Sequence, residues 1–286
     1  MVDRKDNVNV KHAIIAVAGY GSRRLPVTKA VDKCLLPILN RPIIDYIVRD
    51  CINAGVTHIV LVVSESGKEQ LQRYFGHNQD LENYLVTHGK EEYLGLIQVP
   101  DEVTFEYVVQ PPDVPYGTVT PPALARHAIP KGESSLLLMG DDILYTGERE
   151  NSMAQFIEQA GDEAAALTTE VAQHEVSKYG ILVTDDEGYL KYSLEKPKPE
   201  ESPSTMISTA KCVLTSDLLD EIVTFYNEPS TPGKEKYFNL EPYSRYIAKG
   251  NRIKVVQIEG TYLDAGNLEN WLKANIFMAR EQGIIE

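Results

Sequence analysis

Near the amino terminus two glycines run into a cluster of cations: Gly19-Tyr20-Gly21-Ser22-Arg23-Arg24-Leu25-Pro26, continuing to Lys33-Cys34-Leu35-Leu36-Pro37. Glycine lets the backbone turn sharply and approach a ligand closely. The N–H groups of such a turn can point at an anion. Arg23, Arg24 and Lys33 add full charges that can neutralise a polyphosphate. Ala18, Gly19, Gly21 and Ser22 form the turn whose backbone can meet such an anion, with Arg23 and Lys33 among the cations beside it. A Gly-x-Gly alone marks no more than a tight turn. The dinucleotide fingerprint is excluded, because its third small position holds Arg24. A P-loop is excluded as well, since Gly67-Lys68 is followed by Glu69.

Further polar candidates stand where buried strands end. Gln110 closes an apolar run, and its amide offers one acceptor and two donors, enough to match the imide edge of uracil. Gly140-Asp141-Asp142 follows Leu136-Leu137-Leu138-Met139, and Asp264 lies in Tyr262-Leu263-Asp264-Ala265-Gly266-Asn267. By itself Asp141 reads as a turn or cap residue, and Asp264 as readily caps a helix from Leu268.

The string G-Y-G-S-R-R-L-P-V-T-K-A-V-D-K-C-L-L-P resembles the signature of the sugar-1-phosphate nucleotidylyltransferases. Pro26-Val27-Thr28-Lys29-Ala30 points within them to the branch that makes UDP-glucose. This resemblance implies a Mg²⁺-dependent transfer from UTP to glucose 1-phosphate, giving UDP-glucose and pyrophosphate. It implies that Arg23 and Lys33 act on the nucleotide phosphates and that Asp141 and Asp264 hold the metal. Two carboxylates suit Mg²⁺, which takes the rest of its shell from water and substrate phosphates. Asp142 fits a variable position and is left out of the metal site. Gln110 and Gly117 match the base-binding segment. Tyr179-Gly180 and Glu195-Lys196-Pro197-Lys198 match the elements that hold the sugar phosphate, so Gly180, Glu195 and Lys196 are its candidate residues. Relatives commonly form dimers or tetramers, so a homo-oligomer is expected.

The chain departs from that pattern at three places. Cys34 stands where the branch commonly carries Glu. Thr118-Val119-Thr120-Pro121-Pro122 replaces a run of small residues. Tyr237-Phe238-Asn239-Leu240-Glu241-Pro242 replaces an E-x-x-L-T-D element. These departures keep two alternatives open: a sister enzyme using dTTP, CTP, GTP or another sugar 1-phosphate, and a non-catalytic nucleotide-sugar sensor.

Composition bounds the rest. The 286 residues carry a formal net charge of −14, which disfavours binding to nucleic acid, itself an anion. Three scattered cysteines without metal spacing read as reduced thiols of a cytoplasmic protein. No apolar run approaches membrane-spanning length. The six histidines form no local metal pattern.

Alternating strands and helices must position these residues. Ala13–Val17, an amphipathic helix from about Ile43 to Ile52, and the strand His58–Val63 make a β-α-β unit. Strands Phe105–Gln110 and Leu136–Met139 follow, with a helix from about Pro121 to Ala128. Later come strand Ala165–Val171, a hairpin over Tyr179–Leu194, strand Met206–Leu214 and a helix capped by Ser216. A loop over Pro229–Lys236, a helix from Pro242, strand Arg252–Glu259 and a helix from Leu268 complete the chain. Met1–Lys11 is expected to be loose. The fold class is α/β: a Rossmann-like, mainly parallel mixed sheet flanked by helices, with extra strands forming the sugar-binding part. One domain spans 1–286, about 12–150 forming the nucleotide half and about 151–286 the sugar half.

Overall fold

The computed structural model describes residues 10–147, 151–229, 236 and 240–286. Its strands are β1 (His12–Val17), β2 (Pro37–Ile38), β3 (Arg41–Pro42), β4 (His58–Val63), β5 (Thr104–Val109), β6 (Ser135–Met139), β7 (Asp142–Tyr145), β8 (Ala164–Glu170), β9 (Gly180–Thr184), β10 (Leu190–Glu195), β11 (Met206–Leu214), β12 (Ile253–Gln257) and β13 (Thr261–Asp264). The helices are α1 (Ile43–Asn53), α2 (Glu65–Phe75), α3 (Gln79–Thr87), α4 (Leu94–Ile97), α5 (Thr120–Ala125), α6 (Ser152–Ala160), α7 (Ser216–Asn227), α8 (Glu241–Ala248) and α9 (Leu268–Glu281).

Among the described residues nine strands form one sheet, with β10-β9-β11-β6-β1-β4-β5 in order, β8 pairing with β11 and β12 with β8. β6, β1, β4 and β5 are parallel, while β11 runs antiparallel to β6. The sheet is therefore continuous between the first and second halves of the chain. Strands covered on both faces read as near-continuous apolar runs, and β1, β4 and β6 do after their first residues, His12, His58 and Ser135. Alternate residues point to opposite layers. Ile15, Leu61 and Leu138 pack with Ile44, Ile47 and Phe156 of α1 and α6 on one face. Ile14, Val60 and Leu137 pack with Leu218, Leu219 and Tyr243 of α7 and α8 on the other.

Two features differ from the expectation. β7 and β13 form a two-stranded antiparallel ribbon separate from the large sheet, pairing Asp142 with Asp264 and Tyr145 with Thr261. The cap of α7 is Thr215, whose hydroxyl accepts from Leu218 N–H, whereas Ser216 accepts from Gly132 N–H instead. Adjacent hydroxyl residues compete for one cap, and the winner is the residue with extended backbone. The expected loose terminus lies outside the described residues over 1–9. Val10 is buried, and the Lys11 carbonyl accepts from Thr57 and His58 N–H. The Pro229–Lys236 loop also falls largely outside the described residues, as do Tyr237, Phe238 and Asn239. Among the described residues, no helix is long and apolar enough to cross a membrane.

Candidate active site

The glycine turn leaves the carboxyl end of β1, the edge at which open parallel sheets receive ligands. Gly21 adopts φ +62°, and a Cβ there would lie 2.9 Å from Thr28 Cγ2 and 3.0 Å from Lys33 Cβ. Both the backbone and the space demand glycine. The Gly21 carbonyl accepts from Arg24 N–H at 2.8 Å and from Thr28 Oγ1 at 2.9 Å, which closes the turn. Asp32 caps the short 3-10 turn Lys33–Leu35 by accepting from Cys34 N–H at 3.1 Å. Burial, partly offset by that bond, holds its carboxyl above the usual range.

The ribbon brings the distant carboxylates to this turn. Asp141 directly precedes β7, and Asp264 ends β13. Ala265 N–H donates to the Asp141 carbonyl at 2.9 Å. A Cβ placed on Gly266 would lie 2.8 Å from Asp264 Oδ1, 3.2 Å from Asp141 Oδ2 and 3.5 Å from Arg23 Nη2. Three charged groups from three parts of the chain thus surround one glycine, which leaves the space between them open. Lys33 Nζ pairs with Asp141 Oδ2. Asp264 Oδ1 accepts from Gly266 N–H at 2.6 Å, and Oδ2 from Asn270 Nδ2 at 2.8 Å. Asp264 does not cap α9; Asn267 does, accepting from Asn270 N–H.

The two adjacent arginines face different ways. Arg23 is exposed at the cleft. Arg24 is buried, its Nη1 donating to the carbonyls of Ala265 at 2.9 Å and Asn267 at 3.2 Å, with its guanidinium 4.7 Å from the Trp271 ring centre. The expectation that Arg24 helps neutralise a polyphosphate is corrected: its hydrogen bonds are spent on the chain. Asp142, left out of the metal site, is 5% exposed, with Lys211 and the Tyr262 hydroxyl on its carboxylate. Lys211 is buried too, which pushes its ammonium down to about 8 against the pull of Asp141 and Asp50.

Gln110 follows β5 at the same sheet edge, its N–H donating to Val63 O at 2.8 Å. Gly117 has a second occupation. At φ +133°, its absent Cβ would stand 1.9 Å from the Lys236 carbonyl oxygen. Lys236 Nζ in turn donates to the carbonyls of Phe225, Tyr226 and Glu228 at the end of α7. Gly180 and Glu195 are direct partners across the β9–β10 hairpin, and Lys196 N–H donates to Tyr179 O at 3.0 Å. Burial and then the Asp264 charge raise the Tyr179 phenol. Tyr179 and Tyr262 share one small apolar cluster, which places the hairpin beside the ribbon.

Residues that sequence reasoning missed are Gly266, Asn270, Lys211 and Tyr262. Gly266 and Tyr262 lie inside the quoted Asp264 stretch, so proximity to that motif was their one signal. Among the described residues, no group of three or more His, Cys, Asp or Glu side chains is arranged to hold a metal. A two-carboxylate site completed by substrate oxygens is compatible with that.

The chain has relatives in sequence and fold. The chain is 30% identical over 275 residues to a UTP–glucose-1-phosphate uridylyltransferase of Pseudomonas aeruginosa, covering 94% of this chain and 95% of that one. It is 31% identical over 278 residues to a putative UTP–glucose-1-phosphate uridylyltransferase of Methanocaldococcus jannaschii, covering 96% and 94%. A crystal structure of UDP-glucose pyrophosphorylase complexed with UDP-glucose superposes with a TM-score of 0.77 at 26% identity, over 95% of this chain and 99% of that one. The family model described as nucleotidyl transferase matches residues 12–281. With the glycine turn, the paired carboxylates and the sheet all in place across that span, the chain belongs to the nucleotidyl transferase family.

Proposed function

We propose that this protein transfers the uridylyl group of UTP to glucose 1-phosphate, giving UDP-glucose and pyrophosphate. The observation that carries this reading is the meeting of Arg23, Asp141 and Asp264 around Gly266, in a chain whose relatives bear that activity in their names. A phosphate oxygen of the sugar phosphate attacks the α-phosphorus of UTP in line. The bond from that phosphorus to the bridging oxygen breaks, and pyrophosphate departs with the electron pair. The attacking phosphate is already ionised, so no general base is needed. The barrier is electrostatic and positional.

Each candidate residue then has a task. Ala18, Gly19, Gly21 and Ser22 present the turn backbone to the nucleotide. Arg23 offsets charge on the departing pyrophosphate, and Lys33 steadies the phosphates. Gln110 faces the base, and Gly117 shapes the loop beside it. Gly180 and Glu195 face the sugar, and Lys196 holds its phosphate. Asp141 and Asp264, two hard oxygen donors held open by Gly266, fit Mg²⁺, which would supply charge neutralisation where two phosphate esters must approach. The first half of the sheet serves the nucleotide and the second half the sugar.

A matrix of nucleoside triphosphates against sugar 1-phosphates, read by pyrophosphate release, tests the assignment. UTP with glucose 1-phosphate is expected to give the highest kcat/KM. A higher value for another pair would move the assignment to a sister activity, and binding without turnover in any combination would make the protein a sensor.

A further inference from the structure

Among the described residues, the ribbon formed by β7 and β13 shares no strand ladder with the large sheet. Besides the bond from Gly140 N–H to the Ala16 carbonyl at 3.0 Å, side-chain ties hold it over the glycine turn. One tie comes from an unexpected place. Lys211 belongs to β11, a strand in the middle of the sheet, yet it is only 2% exposed. β11 pairs with β8 through Ser208, slips register, and resumes at Cys212, with Ala210 in the left-handed region at φ +55°. Such a bulge re-aims a side chain. Here it turns Lys211 toward the ribbon, where Nζ pairs with the Asp142 carboxylate and lies 3.4 Å from the Asp142 carbonyl oxygen. The Tyr262 hydroxyl donates to the other carboxylate oxygen at 3.0 Å, and its ring centre is 5.7 Å from Nζ.

Asp142 touches both candidate metal ligands through the backbone, as Ala265 does from the end of the other strand. It follows Asp141 by a peptide bond, and it is the cross-strand partner of Asp264. A grip on Asp142 sets both carboxylates at once. Buried ion pairs add little stability over matched apolar residues, and their best-attested use is to fix register. We propose that Lys211 is a positioning residue: by clamping Asp142 from the sheet, it sets the spacing of Asp141 and Asp264 for a divalent cation. This rests on the reading that those two carboxylates bind the metal.

The test uses the full-length protein and Mn²⁺, followed by loss of the free-ion EPR signal without nucleotide, with Asp264→Asn as the reference for site occupancy. Lys211→Met alone would strand a buried carboxylate, so the working variant is Lys211→Met/Asp142→Asn. Loss of an outer-shell partner commonly costs about 10–100-fold in metal affinity. The double variant is expected to stay folded, with Mn²⁺ half-saturation raised about tenfold and KM for glucose 1-phosphate within about twofold of wild type. Lys211→Arg is expected to keep most of the wild-type affinity. A folded double variant with wild-type Mn²⁺ binding would overturn the proposal. A wild-type protein that binds Mn²⁺ at Asp264 but transfers no uridylyl group, with binding weakened in the double variant, would refute the proposed activity and leave the positioning role standing. Wild-type Mn²⁺ binding unaffected by Asp264→Asn would remove both the metal assignment and the proposal.

Discussion

Arg24 Nη1 donates to the carbonyl oxygen of Ala265, 241 positions away, at 2.9 Å. This bond stitches the glycine turn to the strand end that carries Asp264. It divides two neighbouring arginines into one exposed at the turn, the candidate catalytic cation, and one buried against the chain.

Arg23→Ala is expected to lower kcat about 10²–10³-fold, the range for losing one group that stabilises transition-state charge. Its melting temperature should match wild type. Arg24→Ala should do the reverse first: it leaves two carbonyls without their donor and uncovers Trp271, at a cost of roughly 2–3 kcal/mol. That corresponds to a Tm lower by about 3–5 °C in a chain of this size. Thermal melts beside steady-state kinetics on the two variants check the division, and equal melting temperatures would sink it.

Glycine substitutions should separate site from scaffold. Gly266→Ala puts a methyl 2.8 Å from Asp264 Oδ1 and 3.2 Å from Asp141 Oδ2, where only side-chain oxygens resist it. The expected result is a folded protein whose Mg²⁺ requirement rises about tenfold. Gly117→Ala meets a backbone carbonyl at 1.9 Å with φ +133°. It should cost roughly 2–3 kcal/mol of stability, as strained backbone does, read as a lower denaturation midpoint.

A histidine cluster sits at the amino ends of the parallel strands, away from the cleft. His12 meets Glu133 at 2.6 Å, and His58 faces His12, Glu106 at 3.6 Å and Thr104 at 2.9 Å, while His127 shares Glu106. Burial, and then His12, lower the His58 imidazole below its ordinary value, with Glu106 opposing. The unfolded chain therefore takes up this proton first as pH falls. Stability contributed by neutral His58 is present above about 6.5, the unfolded value, and is lost below it as pH falls through the folded value. Melts from pH 7.5 to 5.5 should show a smaller loss for His58→Gln than for wild type. A parallel loss in both would rule out His58 as the source.

All three cysteines are buried. Burial pushes the thiols of Cys34 and Cys51 well up and that of Cys212 to about 12. A thiol-exchange reagent at pH 8 should leave the native protein almost unlabelled and should count three thiols after denaturation. Rapid native labelling of Cys34, beside the glycine turn, would contradict the packing described.

Asp141 and Asp264 stood out only through the family resemblance of their short motifs, whereas the glycine turn was legible because it is a contiguous pattern at the end of an apolar run. The parallel core was legible for the same reason: His58–Val63 and Leu136–Met139 have no polar interruption. The ribbon was not. Its strands are four residues long, too short for periodicity to register, and they pair over more than a hundred positions. Arg24 was misread because a cation in a cationic run looks alike whether it faces ligand or carbonyl. Lys211 interrupts an apolar strand, which locally reads as a solvent-facing position. Only the bulge at Ala210, a tertiary effect, buries it.

The detached ribbon has an engineering consequence. The candidate base reader, Gln110, leaves from β5, and the candidate sugar contacts, Gly180, Glu195 and Lys196, belong to a hairpin anchored on β11. Neither surface shares a ladder with Asp141 or Asp264. If those candidate surfaces set donor and acceptor preference, new loops grafted at the two places would change it while the ribbon and its two carboxylates are carried over unaltered.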